Sequence, residues 1–487
     1  MIAEELKYRI RQSFGHVPTA EQEQAIGIFA DFMADRDPHA VMLIRGSAGT
    51  GKTTLAAAIV QTMTALKQSI VLLAPTGRAA KVFSLYSGCP AYTIHRRIYR
   101  MKTMMGGFEL GYNPARSTLF IVDEASMIAN GDTSLLDDLI SFVYNGNDCR
   151  LMLIGDNAQL PPVGETESPA LQPSTLRYYG LSVYQCELSE VLRQSQQSGI
   201  LINATYIRNL SEMMLPKIRL AGFSDIQVVP GNELIEHLAS SYSKAGTDDT
   251  IVITRSNKRA NIYNRGIRST ILDREDELCH GDRLMIVKNN YSLPLPSSNW
   301  RGDSASEEAS PGGGRMEGAS FIANGDMATV QRVRNIHEQH GFRFAEVTLQ
   351  FPDYDDYELT STVLLDTLYT EAPALTREQQ EQLFSKVMED YQDIPRKDER
   401  MKAVKQDRYF NALQVKFAYA VTCHKAQGGQ WSHVYIDQGY MSDDMLTNDY
   451  IHWLYTAFTR ATDRLFLVNW PSNQLDDNER KHGETVE

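Results

Sequence analysis

Nine residues near the start of the chain form a glycine-rich loop that could cradle a chain of phosphates. Residues 46–54 read Gly-Ser-Ala-Gly-Thr-Gly-Lys-Thr-Thr and lie between the apolar run 40–44 and the helix-favouring run 55–60. A strand, a glycine loop and a helix in that order point backbone N–H groups and a positive helix end at an anion. A plain glycine turn is the alternative. The predicted phosphate-binding residues are Gly46, Ser47, Ala48, Gly49, Thr50, Gly51, Lys52, Thr53 and Thr54.

Within this loop, two side chains have the chemistry of a nucleoside triphosphate site. Lys52 would reach the β- and γ-phosphates, and the Thr53 hydroxyl would be a ligand of Mg²⁺. The loop therefore predicts that the chain binds and hydrolyses a nucleoside triphosphate.

Two acidic residues end another apolar run. Residues 119–122 are strand-like, and Asp123 and Glu124 follow directly. At the carboxyl edge of a parallel sheet that carries a phosphate loop, such acids hold Mg²⁺ and polarise the attacking water. We therefore predict Asp123 as a metal ligand and Glu124 as the base, with a solvated acidic loop as the alternative. The loop after residues 151–154 places Gln159 either near the γ-phosphate or at the surface.

The elements that must position these residues alternate between strands and helices. From residue 18 to about residue 190 the pattern predicts a doubly wound parallel sheet. A second alternating region follows, interrupted by an insertion whose strand-like pieces predict a small β-barrel and a helix beginning near Thr376. The fold class is therefore α/β with two parallel-sheet domains. The strand-like pieces of the second region are residues 250–253, 415–420, 433–436 and 464–470.

Composition limits the function classes. The 487 residues predict two to four domains. The net charge of −13 argues against a protein that coats nucleic acid through bulk charge. It does not exclude a narrow basic or hydrogen-bonding track for nucleic acid on an otherwise acidic surface. The five cysteines form no CxxC pair, so neither a zinc site nor a disulfide framework is indicated. The lack of a signal region or a long apolar run predicts a cytoplasmic protein without a membrane partner.

Eight blocks of sequence carry a family resemblance. The chain resembles superfamily-one DNA helicases of the RecD, Dda and Pif branch, and the blocks occur in the family's order between residues 18 and 461. The blocks are residues 18–22 (the adenine-reading Q motif), 74–81 (motif Ia), 93–96 (TIH), 123–127 (DEASM), 155–162 (GDNAQLPP), 188–194 (LSEVLRQ), 421–428 (VTCHKAQG) and 454–461 (LYTAFTRA).

The resemblance implies two RecA-like domains that face each other across ATP, with Mg²⁺ as the second cofactor. Gln22 would read the adenine and Gly428 would contact the nucleotide. Arg193 and Arg460 would reach the γ-phosphate from the second domain, and Gln159 would sense that phosphate. Guanidinium groups neutralise the transferring phosphoryl oxygens, and such arginines accelerate hydrolysis about 10³- to 10⁵-fold.

The resemblance also implies that single-stranded DNA crosses both domains, and that the partner is a junction between duplex and single strand. Hydroxyls, amides and a few cations suit phosphate contacts that carry no sequence information. The implied DNA-binding residues are Pro75, Thr76, Arg78, Thr93, His95, Thr422, His424 and Lys425.

Two insertions correspond in position to those of the family. Residues 86–117 would hold a hairpin pin that splits the duplex, with Phe108 at its tip and an ordinary loop as the alternative. Residues 284–411 would hold a barrel similar to Src-homology-three domains, although a low-complexity stretch and a long helix depart from that pattern. Gln430 stands where many relatives have a ribose-binding glutamate. The expected domains are 1–85 with 118–185, 86–117, 186–283 with 412–487, and 284–411.

The resemblance thus implies an ATP-dependent DNA helicase that moves 5′ to 3′ on single-stranded DNA, with a monomer as the default. A regulatory nucleotide switch is a second hypothesis, but it should lack the second-domain arginines and the DNA-lining blocks. A third is an ATPase that remodels RNA or nucleoprotein without processive unwinding, and the sequence does not separate it from the helicase.

Overall fold

Two parallel sheets and a closed barrel make up the architecture of this computed structural model, which describes residues 2–101, 108–130, 134–190, 198–290, 292–293 and 322–476. The first sheet has six parallel strands in the order β3-β2-β6-β7-β1-β8. The strands are β1 Ala40–Gly46, β2 Ser69–Ala74, β3 Ala91–Thr93, β6 Thr118–Val122, β7 Arg150–Gly155 and β8 Ser182–Leu188, and the short antiparallel hairpin is β4 Tyr99–Met101 with β5 Phe108–Leu110.

Helices cover both faces of this sheet. Alternate residues of β1 belong to opposite apolar cores, with Met42 and Ile44 on one face and Val41 and Leu43 on the other. A strand buried on both faces reads as a continuous apolar run, which explains why the sequence signal was clear. The helices are α1 Ile2–Ser13, α2 Ala20–Ala34, α3 Lys52–Ala65, α4 Gly77–Ser87, α5 Ile94–Ile98, α6 Leu135–Tyr144 and α7 Pro173–Tyr178.

The second sheet has five parallel strands in the order β16-β10-β17-β18-β9. It confirms the expectation of a second parallel-sheet unit. Its strands are β9 Ile226–Val229, β10 Thr250–Thr254, β16 Ala420–Thr422, β17 Trp431–Asp437 and β18 Ala461–Val468. Its helices are α8 Gly199–Arg208, α9 Leu234–Ala245, α10 Asn257–Gly266, α13 Cys423–Ala426 and α14 Asn448–Phe458.

The insertion contains the expected barrel, which closes in the order β11-β12-β13-β14-β15. Helix α11 begins near Thr376, as expected, with a capping box in which Thr376 accepts a hydrogen bond from the backbone of Gln379. The Leu383 and Val387 side chains of this helix are buried in one apolar cluster with barrel residues, so this face of the helix packs against the barrel. The barrel elements are β11 Arg283–Ile286, β12 Met327–Gln339, β13 Phe342–Phe351, β14 Tyr357–Leu364, α11 Arg377–Asp390, α12 Lys397–Gln406 and β15 Leu413–Phe417.

One predicted strand is wrong. Residues 415–420 read as a single strand of the second sheet, but the structure divides this run between the barrel strand β15 and the sheet strand β16. Both pieces are buried, so their apolar pattern continues across the division. The low-complexity residues 301–314 lie outside the described residues. Within the described part of the chain, no helix has the length and apolar character needed to cross a bilayer.

Candidate nucleotide site and strand interface

The glycine-rich loop lies between β1 and α3, as its sequence predicts. Gly49 and Gly51 have φ of 77° and 81°, values that other residues adopt only with strain. A Cβ on Gly46 would lie 2.9 Å from the carbonyl oxygen of Leu188, so the loop passes close to β8. The Lys52 Nζ donates to the carbonyl oxygens of Gly46 and Ser47, at 2.7 and 2.9 Å. The lysine therefore lies folded along the loop that should hold the phosphates.

The two predicted acids lie beyond the carboxyl end of β6. Oδ1 of Asp123 accepts from the backbone N–H of Glu124 at 2.9 Å, and Oδ2 accepts from the Tyr86 hydroxyl. Burial raises the pKa of Asp123, and the Tyr86 bond opposes that rise. Burial also raises the pKa of Glu124, against the attraction of Arg460. Tyr86 was not predicted, because its contact with Asp123 joins residues 37 positions apart.

A cavity of about 620 Å³ opens in front of these groups, between the two sheets. Arg460 enters it from the second unit, and its Nη1 lies 3.9 Å from Oε1 of Glu124. The arginine is buried and also donates to the carbonyl oxygens of Gly429 and Thr456, each at 3.1 Å. The cavity lining includes Ser47, Ala48, Gly49, Gly51, Lys52, Thr53, Tyr86, Asp123, Glu124, Gln159, Gly428, Gln430 and Arg460.

Gln159 lies in this lining and is buried rather than at the surface. Its Oε1 has no hydrogen-bond partner within the described residues, and neither has the Oγ of Ser47. Unsatisfied polar atoms in a buried position are costly, and they fit a cavity that receives a polar ligand. The loop residues Gly46, Thr50 and Thr54, also predicted to bind phosphate, are not part of the lining.

The oxygen groups at the cavity fit a Mg²⁺ ion. The Thr53 hydroxyl and the Asp123 carboxylate both line it, and hard oxygen donors are what Mg²⁺ prefers. Burial raises the pKa of Asp123, and a divalent cation bound beside it would favour the ionised carboxylate.

Gln22 lies beside the phosphate loop, and its expected role in reading adenine stays a prediction. It is fully buried at the start of α2, where its Oε1 accepts from the backbone N–H of Thr19 at 3.0 Å. Its Nε2 donates to the carbonyl oxygen of Thr50 at 3.1 Å, so it supports the phosphate loop from behind. Gly428, in contrast, lines the cavity with a φ of 70°, and a Cβ there would lie 3.0 Å from Ala79.

The first half of the expected DNA track lies at the carboxyl ends of β2 and β3. Thr76 and Thr93 cap α4 and α5, accepting from the N–H groups of Ala79 and Arg96. Pro75 directly follows β2. His95 packs against the Tyr99 ring at 5.5 Å, and burial lowers its pKa.

Arg78 of the expected DNA track contacts the second unit. Its Nη2 donates to the carbonyl oxygen of Gln430 at 2.6 Å, and its guanidinium lies 4.2 Å from the centre of the Trp431 ring. These contacts join α4 to the second unit, so the side chain bridges the two units, and its expected contact with the DNA strand stays a prediction. The sequence shows that motif Ia contains a cation at this position. It could not show the partners of this cation, because they lie more than 350 residues away in the chain.

The second half of the track lies where β16 meets α13. Thr422 is the residue before this helix, and the His424 side chain is exposed. Burial lowers the pKa of the Lys425 ammonium to about 8, and its Nζ has no hydrogen-bond partner within the described residues. Arg193 lies outside the described residues, and nothing is described of the Phe108 side chain, although its backbone belongs to β5.

Comparisons with known proteins agree with this geometry. Residues 19–209 match the family model described as an AAA domain, and residues 417–468 match the UvrD-like helicase C-terminal domain. The ATP-dependent DNA helicase dda of Enterobacteria phage T4 is 33% identical over 198 residues, which cover 39% of this chain and 42% of that protein. The ATP-dependent RecD2 DNA helicase of Deinococcus radiodurans is 36% identical over 130 residues, covering 26% and 16%. The aligned part is thus less than half of either relative.

A solved structure is similar along nearly the whole chain. The Pif1 helicase from Bacteroides, crystallised with ADP-AlF3 and ssDNA, aligns over 97% of this chain and 98% of its own at 14% identity. The TM-score of this alignment is 0.45. The description of the fold given above is therefore based on the sheets of this chain and not on the alignment.

The two parallel sheets, the glycine loop and the shared cavity define a P-loop nucleotide-binding protein of two α/β units with an inserted barrel. The two family matches and the two curated relatives confirm its resemblance to superfamily-one helicases of the RecD, Dda and Pif branch.

Proposed function

We propose that this chain is an ATP-dependent motor that moves 5′ to 3′ on single-stranded DNA and separates duplex strands, acting as a monomer. The observation that carries the proposal is the cavity in which Lys52, Asp123 and Glu124 of one sheet unit face Arg460 of the other. Such a cavity changes shape when the two units move, so hydrolysis within it can drive motion.

In this proposal each cavity residue has one task. Lys52 would leave its carbonyl partners and bind the β- and γ-phosphates, and Thr53 and Asp123 would hold Mg²⁺, which would neutralise phosphate charge. Glu124 accepts the proton of the attacking water; burial raises the pKa of this carboxyl, and the nearby Arg460 opposes that rise. Arg460 also stabilises the charge that develops on the γ-phosphate, with Arg193 as the second such arginine. Gln159 senses the γ-phosphate.

The strand would cross the carboxyl edges of both sheets. Thr76, Thr93 and His95 would contact it in the first unit, and Thr422, His424 and Lys425 in the second. Phe108 would lie at the strand-separation pin. We propose that the chain divides for this movement close to the domain limits expected from the sequence, except that β3 (Ala91–Thr93) stays with the first sheet and β15 (Leu413–Phe417) with the inserted barrel.

The test compares duplexes with a 5′ tail, a 3′ tail or no tail, each built with DNA and with RNA tails. The 5′-tailed DNA should be unwound in the presence of ATP and Mg²⁺, and the 3′-tailed DNA should not. Lys52→Ala should abolish ATP hydrolysis and unwinding while it binds single-stranded DNA as the unaltered protein does.

Each other outcome has a definite meaning. Unwinding of the 3′-tailed duplex alone would reverse the proposed direction. Activity on RNA tails alone, or ATP hydrolysis without any strand separation, would favour the remodelling ATPase. Retained turnover in Lys52→Ala would remove the phosphate loop from the reaction.

A further inference from the structure

A tyrosine of the second unit reaches into the phosphate loop of the first. The Tyr455 hydroxyl accepts from the backbone N–H of Ala48 at 2.8 Å and donates to Oδ2 of Asp156 at 2.5 Å. Its side chain is 1% exposed, and so both bonds are shielded from water. One hydroxyl therefore joins the phosphate loop, the loop after β7 and helix α14.

The loop after β7 is held by further side chains of the second unit. Thr456 accepts from the N–H of Leu160 at 2.7 Å, and Nδ1 of His452 lies 2.8 Å from the carbonyl oxygen of Ala158. Gln427 donates to the carbonyl oxygen of Leu160 at 2.6 Å. Residues 156–160, which include Gln159, are thus held by α14 and by the segment that follows α13.

Gln427 extends this network to the expected DNA track. The backbone N–H of Gln427 donates to the carbonyl oxygen of His424 at 3.4 Å. Lys425 lies between these two residues in the sequence. A continuous series of contacts therefore runs from the phosphate loop through Tyr455, Asp156 and Leu160 to residues that we place against the strand. Coupling between two sites needs such a physical connection whose arrangement both sites can bias.

We propose that Tyr455 is a positioning residue that couples strand binding to ATP turnover by holding the phosphate loop and residues 156–160 against the second unit. This inference depends on the proposed function. Tyr455 itself touches neither substrate in this scheme. It keeps Gln159 and the loop amides in register with Arg460, and strand binding beside Gln427 favours that arrangement.

The experiment uses Tyr455→Phe, which keeps the ring and removes both hydrogen bonds. ATP hydrolysis is measured with and without oligothymidine, together with ADP affinity and thermal unfolding. We expect the ratio of stimulated to unstimulated rates to fall about fivefold or more, the scale of a coupling between sites. Gln427→Leu, at the other end of the network, should lower the same ratio.

The matched control is Tyr435→Phe. Tyr435 is also buried in the second unit, but its hydroxyl bonds Ser241 within that unit at 2.7 Å. Its stimulation ratio should equal that of the unaltered protein. A folded Tyr455→Phe with full stimulation would overturn the inference, as would an equal loss in the control. Absence of stimulation in the unaltered protein would instead refute the proposed function.

Discussion

At the scale of single residues, Glu124 shows how the backbone sets up chemistry. Its φ of 53° lies in the left-handed region, which is strained for a residue with a side chain. Strain of this kind is kept where the surroundings hold it, commonly at functional sites. Here it occurs directly after β6, where the chain turns so that both Asp123 and Glu124 line the same cavity. The left-handed backbone of Glu124 is therefore part of what places the two acids at the cavity.

Glu124→Gln tests the role of this carboxylate as the base. The amide is nearly the same size but cannot accept the water proton, so we expect the rate of ATP hydrolysis to fall about 10²- to 10⁴-fold. Affinity for ADP should change less than twofold, as measured with a fluorescent analogue. The control is Glu233→Gln, an exposed glutamate of the second unit. A variant that hydrolyses ATP at the normal rate would assign the base to another group.

At the scale of elements, the barrel contacts the start of α4. Asp326, which is fully buried, accepts from the Tyr354 hydroxyl and from the N–H of Ala323, at 2.8 and 2.7 Å. A Cβ on Gly77 would lie 2.5 Å from its Oδ1, so only glycine allows this approach. Lys81 of the same helix donates to the carbonyl oxygen of Pro352 at 2.6 Å. The barrel is thus positioned beside the expected DNA track.

Asp326 makes the stability of the protein depend on pH. Burial raises its pKa from 3.8 to about 7, so between these values the folded state binds more protons than the unfolded state. The free energy of unfolding should therefore fall as pH rises from 4 to 7, by at most about 1.4 kcal/mol per pH unit, and then level off. Asp326→Asn should remove this slope and be more stable than the unaltered protein at pH 8.

Urea unfolding at pH 5, 6, 7 and 8 measures the effect. Asp355→Asn, at an exposed position of the same turn as Tyr354, serves as the control and should keep the slope. An Asp326→Asn variant with an unchanged slope would show that another group titrates in this range.

Features encoded by neighbouring residues could be predicted from the sequence, whereas contacts between segments far apart in the chain could not. The phosphate loop and the capping box at Thr376 are local patterns, and the structure contains both elements where they were expected. The contacts of Tyr86, Tyr455 and Arg78 join segments 37 to more than 400 residues apart, and no local pattern encodes them. The division between β15 and β16 was missed because both strands are buried and read as one apolar run.

At the scale of the whole molecule, the two sheet units contact each other around the cavity through polar contacts and through Leu160, Ala48 and Ala158, which pack against the apolar core of the second unit. Arg78 and Tyr455 are on opposite sides of this interface, one from each unit. In the proposed motor, a side chain that bridges this interface would make closure of the two units around the nucleotide more favourable. The apparent affinity for ATP then depends on the fraction of molecules in which the units are closed.

Arg78→Lys tests this role and separates it from DNA binding. Lysine keeps the charge but loses the planar group that stacks on Trp431, a contact worth about 1–2 kcal/mol when shielded from water. Without DNA, we expect the KM for ATP to rise about five- to thirtyfold, with kcat changed less than twofold. Arg9→Lys, an exposed arginine of α1 paired with Glu5, should leave both values unchanged. If the ATP KM stays constant and affinity for single-stranded DNA falls instead, Arg78 contacts the strand, and the closing of the two units depends on Tyr455 and its neighbours.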